Sequence, residues 1–378
     1  MKKRTILIII AVTFLLVSSC VKETYNIDKL SDYNSLSPTY AISAVKGDVS
    51  LLDMLEAGDT VTYGSDNFMT LVFKQDSVIT LQSSDFLAKG PLTAEIEPGD
   101  FDLGMQDILN HITGDIYFSN PSLTFTYSNA FAAPLEMDVY ITGIKGSDSL
   151  HLDPIVFTPA GSGVAGQQEA GSYTIDNTNS SLPDLISFLP EKIHYSGDAY
   201  LLPPPKSGGG TGEKLETENL TGSIELDIPM QLRMNNLQFA DTTDNFLKSD
   251  DNGDAINPED FDLLRVDISA DNGFPLGISL SMSLYDSQAQ KVLKTIDATD
   301  LLSPAAVDSE GKSSSSTQTN TTIELTNDFF SSVNKADNII FTFKMSTSGG
   351  GSQDVKIYSD YRINFKASLV IKPGINLN

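Results

Sequence analysis

"SIELDIPMQLRM", Ser223–Met234, places Ile224, Leu226, Ile228, Met230, Leu232 and Met234 on every second position. Successive side chains of an extended strand point to opposite faces, so this period predicts a strand with one buried face and one wet face. "VKIYSDYRINFKASLVI", Val355–Ile371, carries the same period through Val355, Ile357, Tyr361, Ile363, Phe365, Leu369 and Ile371. Both stretches close longer patterns that resemble each other.

"LTFTYSNAFAAPLEMDVYI", Leu123–Ile141, and "LLRVDISADNGFPLGISLSMSL", Leu263–Leu284, each contain an alternating run, an Asn, a Phe two residues later, Pro-Leu, and a second alternating run. Pro134-Leu135 answers to Pro275-Leu276. Downstream of each lie a strand, a short helical stretch and another strand, and then "SGGG" at Ser207–Gly210 and again at Ser348–Gly351. An offset held across several features predicts a duplicated unit.

The helical stretches are "LPDLISF", with Ser181 or Asn179 as N-cap and a proline early in the helix, and "DFFSSVNKA", with Asn327 as N-cap. Upstream, "DVSLLDMLEA" predicts a helix, and "FMTLVFK" and "SVITLQ" predict strands. Stretches such as "LLPPPKSGGGTGEK" and "DSEGKSSSSTQTN" predict exposed loops. The expected fold is mainly β, with tandem β-sandwich-like domains built from long antiparallel amphipathic strands and a few short helices. Its expected divisions are a signal peptide at 1–19, a lipidated tether at 20–38, an N-terminal α+β region at 39–116, repeat 1 at 117–245 and repeat 2 at 246–378.

The N-terminus reads as an address. Lys2, Lys3 and Arg4 precede an apolar run from Ile6 to Val17 and the small residues Ser18 and Ser19. A basic start, a short apolar core and small residues mark a secretion signal, too short to span a bilayer. Cleavage after Ser19 leaves Cys20, the chain's one cysteine, as the new N-terminus for acylation. Palmitate-type chains contribute about 0.8 kcal/mol per buried methylene, and more than one chain gives stable anchoring. With Cys20 so used, the mature chain has no thiol for disulfides, nucleophilic catalysis or zinc ligation.

Loss of Lys2, Lys3 and Arg4 with the leader moves the formal charge from −26 to −29. Such acidity excludes nucleic acid as a partner and keeps the body away from anionic headgroups. The three histidines, His111, His151 and His194, form no metal-binding spacing. "GSGVAG", Gly161–Gly166, fits GxGxxG but lies in a loop-like context without the flanking strand and helix that a dinucleotide site needs. "GGGTGEK", Gly208–Lys214, lacks the Lys-Ser/Thr pair of a phosphate loop, and no serine stands in a GxSxG elbow. No catalytic constellation emerges, so the chain is expected not to be an enzyme and to need no cofactor. One acidic run, "KSDDNGDAINPEDFD", sets Asp250, Asn252 and Asp254 at alternate positions, with Glu259 and Asp260 beyond, as candidate calcium ligands. Ala255 and Phe261 depart from the EF-hand pattern, and the run suits a solvated linker better than a calcium loop.

Val17-Ser18-Ser19-Cys20 matches a lipobox, and with the acidic, strand-rich body the chain resembles the cell-surface lipoproteins of Bacteroidetes. The resemblance implies outer-membrane attachment and a role in glycan capture or adhesion. It also implies O-glycosylation at Asp-Ser/Thr triplets, here at Thr60, Ser77, Ser149 and Thr242. The expected function is a lipid-anchored, non-catalytic binding or scaffold role, with a glycan or a surface protein as partner. A carboxylate-dependent glycan hydrolase and a carrier of a hydrophobic ligand are the alternatives.

Overall fold

The computed structural model describes residues 39–50, 61–88, 92–103, 112–202, 218–245, 247 and 261–373. Twenty-two strands and three short helices occur among them, so the fold is mainly β, in antiparallel sheets. Early in the chain come β1 (Tyr40–Ser50), β2 (Val61–Tyr63), β3 (Met69–Gln82), α1 (Ser83–Ala88), β4 (Thr93–Asp102) and β5 (Ile112–Phe118). Next are β6 (Ser122–Asn129), β7 (Leu135–Lys145), β8 (Asp148–His151), β9 (Ile155–Phe157), β10 (Glu169–Ile175), α2 (Leu182–Ser187), β11 (Lys192–Leu201) and β12 (Asn219–Pro229). Then follow β13 (Gln231–Asp244), β14 (Phe261–Asn272), β15 (Leu276–Asp286), β16 (Lys291–Leu302), β17 (Ala306–Val307), β18 (Ser313–Ser315) and β19 (Thr317–Glu324). The chain ends with α3 (Asn327–Val333), β20 (Asn338–Thr347), β21 (Val355–Lys356) and β22 (Arg362–Pro373).

These elements fall into two compact units. Unit 1 takes residues up to Leu55, Asn235–Gln353 and Asp360 onward; unit 2 takes Glu56–Met234 and Asp354–Ser359. The first strand of the 39–116 stretch therefore belongs to unit 1, and its later strands belong to unit 2.

In unit 2, one sheet has the order β10-β6-β12-β3-β2 and the other β4-β11-β7-β8, with β9 also pairing to β7. In unit 1, one sheet runs β19-β14-β22-β1 and the other β16-β15-β20-β13. Matched in chain order, β3, β4, β6, β7, β8, β10, β11 and β12 answer to β1, β13, β14, β15, β16, β19, β20 and β22. Both pairs of sheets then have the same strand order, and α2 and α3 occupy the same place before β11 and β20. In unit 2 the step from the first of these strands to the second is α1; in unit 1 the chain makes all of unit 2 except Asp354–Ser359 at that step.

The core of unit 2 follows the period-two pattern. Leu135, Met137, Val139 and Ile141 of β7 are each at most 1% exposed, and Ile224, Leu226 and Ile228 of β12 at most 3%. Each such burial contributes roughly 1.5–3 kcal/mol. Phe125, Phe157 and Tyr173 stack in series, with centroids 5.5 and 4.9 Å apart. α1 closes one end: Asp85 accepts a 2.7 Å hydrogen bond from the Gln82 N–H, capping the helix, and Phe86 meets Phe131 edge-on at 5.3 Å. In unit 1, Phe329 and Val333 of α3 pack on Leu284, Ala336 and Ile339.

Local departures from the sequence reading have simple causes. Ser223–Met234 is not one strand: β12 stops at Pro229, β13 starts at Gln231, and the two lie in different sheets. Proline cannot donate to the ladder, so it falls where pairing ends. Val355–Ile371 is likewise split into β21 and β22. "FMTLVFK" and "SVITLQ" join into the single strand β3, kinked at Ser77, whose φ of 57° lies in the left-handed region. Asn327 is the first helical residue of α3, not its cap; Thr326 holds that position, without a side-chain cap bond. α2 begins after Ser181 as expected, with Pro183 in its first turn. Asp48–Ser50 of the expected helix "DVSLLDMLEA" are the end of β1, and the remainder lies outside the described residues.

Candidate functional site

The outer face of the β4-β11-β7-β8 sheet gathers polar and aromatic side chains that are far apart in sequence. Alternation sends Ile193, Tyr195 and Ala199 of β11 inward, and Lys192, His194, Ser196, Asp198 and Tyr200 outward. On β7 the inward residues are Met137, Val139 and Ile141, and Glu136, Asp138, Tyr140 and Thr142 face out. Register then sets these residues in rows. Asp100, His194, Thr142 and His151 form one row across four strands. Glu95, Asp198, Asp138 and Val156 form another, and Thr93, Tyr200 and Glu136 a third.

At one end Asp100 accepts hydrogen bonds from Lys192 Nζ at 2.6 Å and is bonded to His194 Nδ1 at 2.8 Å. The Lys192 bond, followed by the His194 bond, holds the Asp100 carboxyl below its usual value. Thr142 Oγ1 lies 2.8 Å from His151 Nδ1. Two of the three histidines thus flank Thr142 on one sheet, each with Nδ1 engaged.

The other end is acidic and aromatic. Neighbouring strands are about 4.8 Å apart, so Glu95, Asp198 and Asp138 stand side by side, an arrangement of like charges that costs stability. Tyr140 is 42% exposed and Val156 51% exposed. Partial burial first, then the nearby Asp198 and Asp138, push the Tyr200 hydroxyl above the usual tyrosine range. Gly197 lets the strands close here, because a Cβ at that position would collide with the Asp138 carbonyl oxygen.

Among the described residues no three His, Cys, Asp or Glu side chains converge so as to hold a metal ion. Asp250, Asn252, Asp254, Glu259 and Asp260 lie outside the described residues, as do Cys20, Ser19, Thr60 and His111. Ser77, Ser149 and Thr242 are exposed on three different strands; Ser149 lies on β8 of this same sheet, in a row with Ile144 and Lys192 beside the row of His194, Thr142 and His151. The loop Gly161–Gly166 is strapped to the chain: the N–H groups of Gly163 and Gly166 donate to the carbonyls of Ala132 and Ala130. A second polar cluster in unit 2 is satisfied internally. Asp354 accepts from Arg233 at 3.0 Å and from Ser119 at 2.7 Å, and the guanidinium lies over the Tyr117 ring at 3.9 Å.

Each unit is thus a two-sheet antiparallel β-sandwich, and the second copy of the fold is inserted into the first. A solved structure of similar architecture comes from Parabacteroides distasonis, a protein described only as a presumed secreted one; it is 17% identical, with 88% of this chain and 99% of that chain covered and a TM-score of 0.50. That likeness is one of fold. A chain from the infectious bursal disease virus Gt strain aligns at 8% identity over 92% of this chain and 44% of its own, with a TM-score of 0.20. No family model and no curated protein matches the chain. No helix among the described residues is long and apolar enough to cross a membrane.

Proposed function

We propose that the protein is an extracytoplasmic, lipid-anchored, non-catalytic binding protein whose outer β4-β11-β7-β8 face captures a neutral glycan. The observation that carries the reading is the exposed Tyr140, on one sheet face with Tyr200 and the carboxylates Asp138, Asp198 and Glu95. A tyrosine ring offers an apolar plane for a sugar ring, and carboxylates accept hydrogen bonds from sugar hydroxyls. A rigid sheet holds both without the ordering cost that a loop would incur. Cys20 supplies the anchor, and the outer membrane is its site.

The test is titration calorimetry with soluble glucan, xylan, mannan and galactan, on the wild-type protein and on Tyr140→Ala, Tyr200→Ala and, as a control elsewhere, Tyr63→Ala. Heat with one polymer, lost in the first two variants and kept in the third, supports the reading. Silence with all four polymers, or release of reducing sugar during incubation, overturns it. Labelling of cells with a palmitate analogue, abolished by Cys20→Ser, tests the anchor.

A further inference from the structure

Tyr140 and Tyr200 stand on adjacent strands of the outer face but not side by side. Register sets Tyr140 opposite Ser196 and Tyr200 opposite Glu136, so the two lie four residues apart along the strands and one strand apart across them. A rise of about 3.4 Å per residue and a strand spacing of about 4.8 Å put their Cα atoms about 14 Å apart, on a line that leans only about 20° from the strand axis. Asp138 and Asp198, opposite each other, fall midway along that line.

The neighbours of Tyr140 are Ser196 across the sheet and Asp138 and Thr142 along the strand, all smaller side chains. Those of the half-buried Tyr200 are Thr93, Glu136 and Asp198. Val156, beside Asp138, adds exposed apolar surface on the far side of β7. Burial first, and then Asp198, Asp138 and Tyr140, raise the Tyr200 hydroxyl, so the two tyrosines and the two carboxylates share one electrostatic field. Lys192 and His194 lie at the other end of β11, engaged with Asp100.

We propose that this face takes an extended run of about three or four sugar rings along the strand direction, the outer rings on Tyr140 and Tyr200 and the middle hydroxyls on Asp138 and Asp198. This span rests on the glycan reading above and gives the ligand a length and a direction. A disaccharide reaches one tyrosine at a time. A longer chain held at one tyrosine delivers its far ring to the other as an intramolecular step, and that gain stops growing once the two points are bridged. Ionised carboxylates only accept hydrogen bonds, so the middle of the path suits hydroxyl groups and turns away sugar acids.

The probes are the disaccharide, tetrasaccharide and hexasaccharide of the straight-chain glucose, xylose, mannose and galactose series, titrated calorimetrically into the wild-type protein, Tyr140→Ala and Tyr200→Ala. In one series the tetrasaccharide should bind about tenfold or more tighter than the disaccharide, with the hexasaccharide within about threefold of the tetrasaccharide. Either variant should lower the tetrasaccharide to the level of the disaccharide and flatten the dependence on length. Three results overturn the span and leave the glycan reading standing: equal binding of disaccharide and tetrasaccharide, a further gain of about tenfold at the hexasaccharide, or a length dependence untouched by both variants. Silence with every series overturns both. The wild-type length series decides the matter by itself where a variant folds poorly.

Discussion

Asn129 and Asn272 are equivalent residues: each is fully buried, and each accepts a 2.9 Å hydrogen bond from the main-chain N–H of the phenylalanine two positions on, Phe131 and Phe274. Their amide groups donate to matching carbonyls, Ala160 at 2.9 Å and Ser303 at 2.8 Å. Replacing either by leucine leaves a buried N–H and a buried carbonyl unpaired, at about 1–3 kcal/mol for each group. Urea unfolding followed by hydrogen exchange should show Asn129→Leu weakening unit 2 and Asn272→Leu weakening unit 1. Equal loss of protection in both units from either variant would contradict independent corner locks.

The difference in closure between the units predicts unequal costs for one substitution. Met137 is fully buried and Met282 half-buried, on answering strands. Met137→Ala should cost about 2–5 kcal/mol, and Met282→Ala less than about 2 kcal/mol, because a side chain already in part contact with water leaves less cavity behind. Chemical denaturation of the two variants checks the order.

Gly197→Ala should destabilise unit 2 by roughly 1–3 kcal/mol, because the new methyl meets the Asp138 carbonyl on one side and Ile96 on the other. A melting temperature equal to that of wild type would mean that the strands can separate there.

Asp100 should titrate below the usual aspartate range, held down by its bonds to Lys192 first and His194 second. Its folded pKa is depressed, so its contribution to stability is complete above the unfolded value and is lost as pH falls through the lower folded value. Carbon-13 carboxyl shifts follow this directly; Lys192→Met should bring the midpoint up toward the usual value. The effect on overall stability should be small, since Lys192, His194 and Asp100 are all about two-fifths exposed and screened by solvent.

Alternation made the long strands legible in the sequence, and the Asn, Phe and Pro-Leu spacing made the repeat legible, because both follow from local geometry. Asn129 and Asn272 were visible as a shared pattern before their hydrogen bonds gave it a cause. The partner of β1 was not legible: Tyr40 registers with Ile371, and nothing in either stretch encodes the other. The row that joins His194 to His151 through Thr142 was equally hidden, because lateral neighbours in a sheet are fixed by register between strands and not by sequence spacing. The inward side of every outer-face strand carries the readable signal, while the outward side, where Tyr140 and Asp138 stand, carries no periodic mark of its own.

The insertion at the first turn of unit 1 also dictates an order of completion. A chain emerging N-terminus first presents β1 early, yet β22, its hydrogen-bonding partner, comes last. Nearly all of unit 2 is available long before then, so it can close while its host is still an open edge awaiting a strand. The cost of joining ends so distant in the chain grows only slowly with the length between them, and a prefolded insert shortens the search further. The unit that is begun first is therefore the one finished last, and a nick that removed β22 would undo the host fold while sparing the one inserted in it.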